Sequence, residues 1–115
     1  MLYTRKGDSG TTKTFGCDQR VSKSSAIAEA LGTLDECNSF LGVCKTNETA
    51  GQPLLEGYSF SDMIGWIQQN LFIVQAHVAG ADKNIEKEKI THMESLVDAI
   101  EKELPPIKTF FVSGG

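Results

Sequence analysis

Residues 3–14, Tyr-Thr-Arg-Lys-Gly-Asp-Ser-Gly-Thr-Thr-Lys-Thr, together with Arg20 and Lys23, hold the densest chemistry in the chain. Gly7 and Gly10 stand three apart, Thr4, Ser9, Thr11 and Thr12 carry hydroxyls, and Arg5, Lys6, Lys13 and Lys23 carry charge. Glycine permits backbone angles that let consecutive N–H groups point into one concavity. Hydroxyls add donors and the cations add charge, so the stretch reads as a cradle for a polyphosphate. The same composition also fits a disordered basic tail. It is not a Walker A loop, because the glycine spacing and the following Lys-Ser/Thr are wrong for one.

Other candidates are weaker. Asp35 and Asn38 stand three apart in a helical stretch and share a face. Both are poor interior helix formers. They read either as an exposed polar face or as a polar contact to a ligand or across an interface. His77 lies on an apolar stripe and reads as a structural or interface histidine, and His92 as a solvated one. Neither has a partner at metal-ligand spacing. No Gly-x-Ser-x-Gly elbow, nucleophilic triad or carboxylate pair is present, so no catalytic side chain is assigned.

The body that must position these groups is a single 115-residue domain of net charge −4, with a sequence pI near 5.1. Five of its eleven cations, Arg5, Lys6, Lys13, Arg20 and Lys23, lie in the first 23 residues. A basic arm on an acidic body suits a small anion and argues against nucleic acid. No apolar run reaches bilayer length, and no secretory leader is evident, so no membrane partner is expected. Cys37 and Cys44 on one helix would be separated by about 10 Å of rise, too far for a disulfide. Together with Cys17 they point to a reducing compartment, the cytoplasm.

Three helices are predicted. The first runs from a Ser24 or Ser25 cap to about Thr46, with Ile27, Leu31, Leu34, Leu41 and Cys44 at helical spacing. Residues 47–57 read as a connection broken by Gly51, Pro53 and Gly57. The second runs from a Ser59 or Ser61 cap to Gly80. It carries two stripes, one through Ile64, Ile67, Leu71, Val74 and Val78, the other through Met63, Trp66, Asn70, Ile73 and His77. The third runs from an Asn84 cap to about Leu104, with one stripe through Ile90, Met93, Val97, Ile100 and Leu104, and Pro105-Pro106 stops it. No strand series is evident. The expected fold is all-α: an antiparallel bundle of three long helices (24–104), preceded by an extended N-terminal arm (1–23) and followed by an apolar terminal segment (105–115). Two stripes on one helix leave apolar surface that calls for oligomerisation or for further helices.

The arm resembles the opening of the PduO-type ATP:cob(I)alamin adenosyltransferases, commonly Tyr-Thr-Arg/Lys-x-Gly-Asp-x-Gly. The resemblance continues through Arg20-Val21-x-Lys23, through Glu29-Ala30-Leu31-Gly32-Thr33-Leu34-Asp35-Glu36-Cys37-Asn38-Ser39, and through Phe110-Phe111-Val112-Ser113-Gly114-Gly115. It implies a helical bundle of the cobalamin adenosyltransferase type that assembles as a trimer. It implies transfer of the 5′-deoxyadenosyl group of ATP to the cobalt of reduced cob(I)alamin, with release of triphosphate. Thr4, Arg5, Lys6, Gly7, Thr12, Lys13 and Lys23 would then hold the ATP phosphates. Asp35 and Asn38 would lie near the site at a subunit boundary, and Phe110 would press on the lower face of the corrinoid. Mg2+ would arrive with ATP, and no residue of the chain is expected to bind metal by itself.

The family pattern departs here at Ser113 (commonly proline), His77 (frequently acidic) and Cys37 (leucine). Family members continue past the terminal motif with a helix bearing Arg-Arg-Ala-Glu-Arg and another bearing Asn-Arg-Leu-Ser-Asp. The expected assembly is therefore a homotrimer or a complex with a separate C-terminal half. The alternatives are a non-catalytic nucleotide- or corrinoid-binding relative and a helical assembly protein.

Overall fold

A computed structural model describes residues 2–47, 51–55 and 57–112. It divides into two units, residues 1–85 and 86–115. Within the first unit the order is β1 (Thr11–Lys13), β2 (Arg20–Ser22), α1 (Ala26–Lys45), β3 (Pro53–Leu55), β4 (Tyr58–Ser59) and α2 (Phe60–Val78). The second holds α3 (Lys87–Glu103).

The expectation of an all-α bundle with an extended arm is overturned. Two small antiparallel sheets, β1–β2 and β3–β4, accompany the three helices. The arm is folded on itself: Thr11 pairs with Ser22, Thr12 with Val21 and Lys13 with Arg20. Hydroxyl-rich and β-branched residues favour such pairing. Strands of three residues are too short to display the alternation that marks a strand in sequence. The second sheet straddles the end of the predicted connection: β3 lies within it and β4 just beyond, where Leu55 pairs with Tyr58 ahead of α2. Glu48, Thr49, Ala50 and Glu56 of that connection lie outside the described residues.

Helix α1 begins at Ser25, whose Oγ accepts from the Ala28 N–H. Ile27, Leu31, Leu34, Leu41 and Cys44 are all half-buried along it. Helix α2 begins at Ser59 with a reciprocal cap: the Asp62 N–H donates to Ser59 Oγ, and the Asp62 carboxylate accepts from the Ser59 N–H and hydroxyl. The two helices pack on each other. Gln68 Nε2 donates to the Asn38 carbonyl at 2.9 Å, and Lys45 Nζ reaches to within 3.3 Å of where a Cβ on Gly65 would stand. These contacts run in opposite order along the two helices, so α1 and α2 are antiparallel. Ile64 is the one buried apolar side chain among the described residues. Both predicted stripes of α2 are partly covered, and His77, expected as a structural or interface histidine, is exposed in the single chain.

The loop after β1 passes close to the end of α2. Gly80 has φ +99°, and a Cβ on it would stand 3.0 Å from the Phe15 carbonyl oxygen. Glycine ends the helix there in a conformation that other residues avoid, and it lets the loop after β1 touch the chain directly.

In the second unit α3 starts after Glu86, not at Asn84, and its N-cap makes no side-chain hydrogen bond. A short turn, the Lys83 N–H to the Ala81 carbonyl at 2.8 Å, occupies the chain just before Asn84. Leu104 is extended, as a residue before proline must be. Ile90, Met93, Val97 and Leu104 of the α3 stripe are exposed. No helix among the described residues is long and apolar enough to cross a membrane.

The α2 cap makes the start of that helix sensitive to acid. The side-chain and then the backbone hydrogen bond from Ser59 hold the Asp62 carboxyl below its ordinary value; desolvation acts against them, and Lys45 adds the smallest contribution in their favour. A depressed carboxylate stabilises the fold at pH above its unfolded value, and the contribution is lost as pH falls through the folded value. The first turn of α2 should therefore stay firm through the ordinary carboxylate range and fray below it. Ser59→Ala should return Asp62 toward ordinary titration, followed by its carboxyl carbon shift against pH.

Candidate functional site

The β1–β2 hairpin and the turns that precede it gather most of the predicted phosphate-binding residues. Two overlapping turns build the approach: the Asp8 N–H donates to the Arg5 carbonyl at 3.3 Å, and the Gly10 N–H to the Gly7 carbonyl at 3.1 Å. The Lys23 N–H donates to the Gly10 carbonyl at 2.9 Å and extends the ladder past β2. Arg5 sits at φ +59°, the one described residue other than glycine at positive φ. Such a conformation costs of order 1–3 kcal/mol and persists only where its surroundings fix it. Its guanidinium lies over the Tyr3 ring, 5.3 Å from the centroid.

The sharpest juxtaposition is between Gly7 and Lys23. A Cβ on Gly7 would meet Lys23 Nζ at 3.0 Å, Lys23 Cε at 3.1 Å and the Thr11 carbonyl at 3.2 Å. The Lys23 ammonium is thus folded over bare glycine backbone, and among the described residues no carboxylate pairs with it. Its neighbours in the predicted set are less uniform. Thr4 Oγ1 accepts from the Lys6 N–H at 3.4 Å, and the side chain of Lys6 is exposed. Thr12 pairs with Val21, so strand alternation places it on the face opposite Thr11 and Lys13. Lys13 points at Asp18, Nζ to Oδ1 3.4 Å, and both are exposed.

Arg20 is one of the cations of the arm but not one of the expected phosphate ligands. It proves to be the most extensively bonded side chain of the hairpin. Its Nε donates to Thr11 Oγ1 at 2.7 Å, and its Nη2 to the Thr11 carbonyl at 2.7 Å and the Lys6 carbonyl at 2.5 Å. An arginine nine residues after a threonine carries no sequence signal for this. Only the strand register brings them together.

Asp35 and Asn38 part company. Asp35 is exposed, whereas Asn38 is buried within the α1 stripe, aligned with Leu31 and Leu41. Its Oδ1 has no partner, and the same holds for Oδ1 of buried Asn70 on α2. Asn70 Nδ2 donates back to the Trp66 carbonyl at 2.8 Å. Phe110 is fully exposed in the second unit. Ser113, Gly114 and Gly115 of the terminal motif lie outside the described residues. Among the described residues no group of three His, Cys, Asp or Glu side chains could hold a metal ion.

Comparison with known proteins gives a consistent answer. The cobalamin adenosyltransferase family matches residues 2–115. The corrinoid adenosyltransferase PduO of Citrobacter freundii is 35% identical over 115 residues, covering 98% of this chain and 33% of its own length. The corrinoid adenosyltransferase of Bacillus subtilis strain 168 is 35% identical over 118 residues, covering 99% of this chain and 58% of its own length. Among solved structures, a phenylalanine-to-alanine variant of the PduO-type ATP:corrinoid adenosyltransferase of Lactobacillus reuteri, complexed with cobalamin and ATP, superposes with a TM-score of 0.84 at 28% identity. That match covers 100% of this chain and 64% of the other. The chain thus spans between one third and somewhat under two thirds of the relatives it matches.

Proposed function

The chain belongs to the cobalamin adenosyltransferase family, and we propose that it serves transfer of the 5′-deoxyadenosyl group of ATP to the cobalt of cob(I)alamin, giving adenosylcobalamin and triphosphate. The observation that carries this reading is the Lys23 ammonium folded over Gly7 at the mouth of a hairpin of turns. A triphosphate leaving group needs that combination: backbone N–H groups that come close because no Cβ intervenes, and a cation free of competing carboxylates.

In this reading Thr4, Arg5, Lys6, Gly7, Thr12, Lys13 and Lys23 hold the phosphates. Charge placed there stabilises the negative charge that builds on the triphosphate as the C5′–O bond breaks. Mg2+ arrives with ATP as its counter-ion. The corrinoid supplies the nucleophilic cobalt, and the protein positions and tunes it. Phe110 meets the lower face of the ring and excludes the lower axial ligand, which favours the reduced state. Its full exposure leaves its ring free for that contact. Asp35 and Asn38 lie near the boundary with a neighbouring subunit.

The expected assembly is a homotrimer or a complex with a separate C-terminal half, working in the cytoplasm. Exposed Phe40, Val43 and Phe72 in the first unit, and Ile90, Met93 and Val97 in the second, support an assembled state.

The test is product formation. A protein joining this chain to the C-terminal helices of a family member should convert ATP and chemically reduced cobalamin to adenosylcobalamin, followed by absorbance. Little transfer is expected from residues 1–115 alone. No product from the joined protein, with cobalamin verified as reduced, would leave the non-catalytic binding reading in its place.

A further inference from the structure

We propose that Arg20 is a positioning residue that sets the shape of the phosphate-binding turn and is not itself a ligand of the phosphates. The proposal rests on the reading of the hairpin as a triphosphate site. A guanidinium grips a phosphate through two parallel N–H groups along one edge. In Arg20 the Nε–Nη2 edge is already spent on Thr11 Oγ1 and the Thr11 carbonyl, and the second hydrogen of Nη2 on the Lys6 carbonyl. Only Nη1 remains, so neither edge can offer a fork to an anion.

The three acceptors are well chosen. Two belong to Thr11, where β1 begins, and one to Lys6, directly before Gly7. The Lys6–Gly7 peptide is trans, as no peptide bond of the described chain is cis. Its carbonyl and its N–H therefore point in opposite directions. Turning the Lys6 carbonyl onto Arg20 turns the Gly7 N–H away from it. That N–H has no partner among the described residues, and Gly7 is the residue over which the Lys23 ammonium is folded. Arg20 thereby aims one backbone donor and holds the turn under the lysine.

The test compares Arg20→Lys with Arg20→Ala, using calorimetry with MgATP and with inorganic triphosphate. A lysine keeps the charge but cannot span three acceptors lying around a planar fork. Both variants should weaken both ligands by about tenfold or more, and to a similar degree, since an acceptor array is lost either way. Thr11→Val added to Arg20→Lys should weaken binding by less than its effect alone, because the two residues act as one unit. The melting of α1 and α2, followed by far-ultraviolet circular dichroism, should not move, which separates positioning from general unfolding. Near-normal binding by Arg20→Lys beside weak binding by Arg20→Ala would make Arg20 a charge ligand and overturn the proposal, as would normal binding by both. Amide exchange without nucleotide decides the matter separately from the ATP reading. Arg20→Lys should speed exchange at Gly10, whose N–H closes the turn on the Gly7 carbonyl. If the parent chain binds neither ligand, the triphosphate reading fails, and unchanged exchange at Gly10 would sink the clamp as well.

Discussion

Replacing Phe110 with alanine should leave the stability of the chain unchanged while abolishing the four-coordinate cobalt species in the joined, full-length form. The two halves of that expectation have different origins. Truncating a buried phenylalanine removes apolar contacts and leaves a cavity, at a cost of about 3–5 kcal/mol. Phe110 is fully exposed, so no cavity can form and no such cost is due. Phe111 and Val112 beside it are exposed as well. In the proposed reading the lower face of the corrinoid covers Phe110. Electron paramagnetic resonance of bound cobalt(II) in the presence of ATP reads the species, and thermal melting reads the fold. Loss of several kcal/mol of stability with the cobalt signal intact would return Phe110 to a packing role.

Lys23→Ala should weaken MgATP binding by about 1.5–3 kcal/mol, the usual contribution of a hydrogen bond to a charged group. Lys13→Ala should cost less. The Lys13 ammonium already has Asp18 as a partner at 3.4 Å, so binding a phosphate exchanges one anion for another. The pair is exposed, and its own contribution to the fold is small. Asp18→Asn should then tighten MgATP binding slightly by releasing Lys13. Equal losses for the two lysines, with no effect of Asp18→Asn, would show that the salt bridge plays no part. An unchanged affinity in Lys23→Ala would remove the lysine from the site.

The helices were legible because each is written several times over. In α2 the cap Ser59, its reciprocal partner Asp62 and the apolar spacing from Ile64 onward all point to the same start. Helix α3 had the spacing but a misleading cap: Asn84 is the better capping residue type, yet the chain turns at Ala81–Lys83 and the helix waits until Lys87. The strands were not legible. Three residues of Thr-Thr-Lys and three of Arg-Val-Ser carry too little alternation to outweigh a reading as polar arm. Their pairing is settled by partners seven to eleven residues away. The chemistry of the site followed the same division. Residue types suggested a phosphate cradle, but only the pairing brings Lys23 over Gly7, Lys13 to Asp18, and Arg20 onto Thr11 and the Lys6 carbonyl. Asp35 and Asn38 show the limit of spacing alone. Three residues apart on one helix, they lie on either side of the line between solvent and the α1–α2 seam.

The claim that the hairpin holds the triphosphate of ATP is tested most directly by amide hydrogen exchange of residues 3–14 with and without MgATP. The ladder between β1 and β2 should be protected in both states. Gly7 and its neighbours in the turns should gain protection on adding MgATP, because an N–H without a partner acquires a phosphate oxygen, while α1 and α2 stay as they were. Equal exchange across residues 3–14 in the two states, at nucleotide concentrations that saturate any binding, would contradict the account.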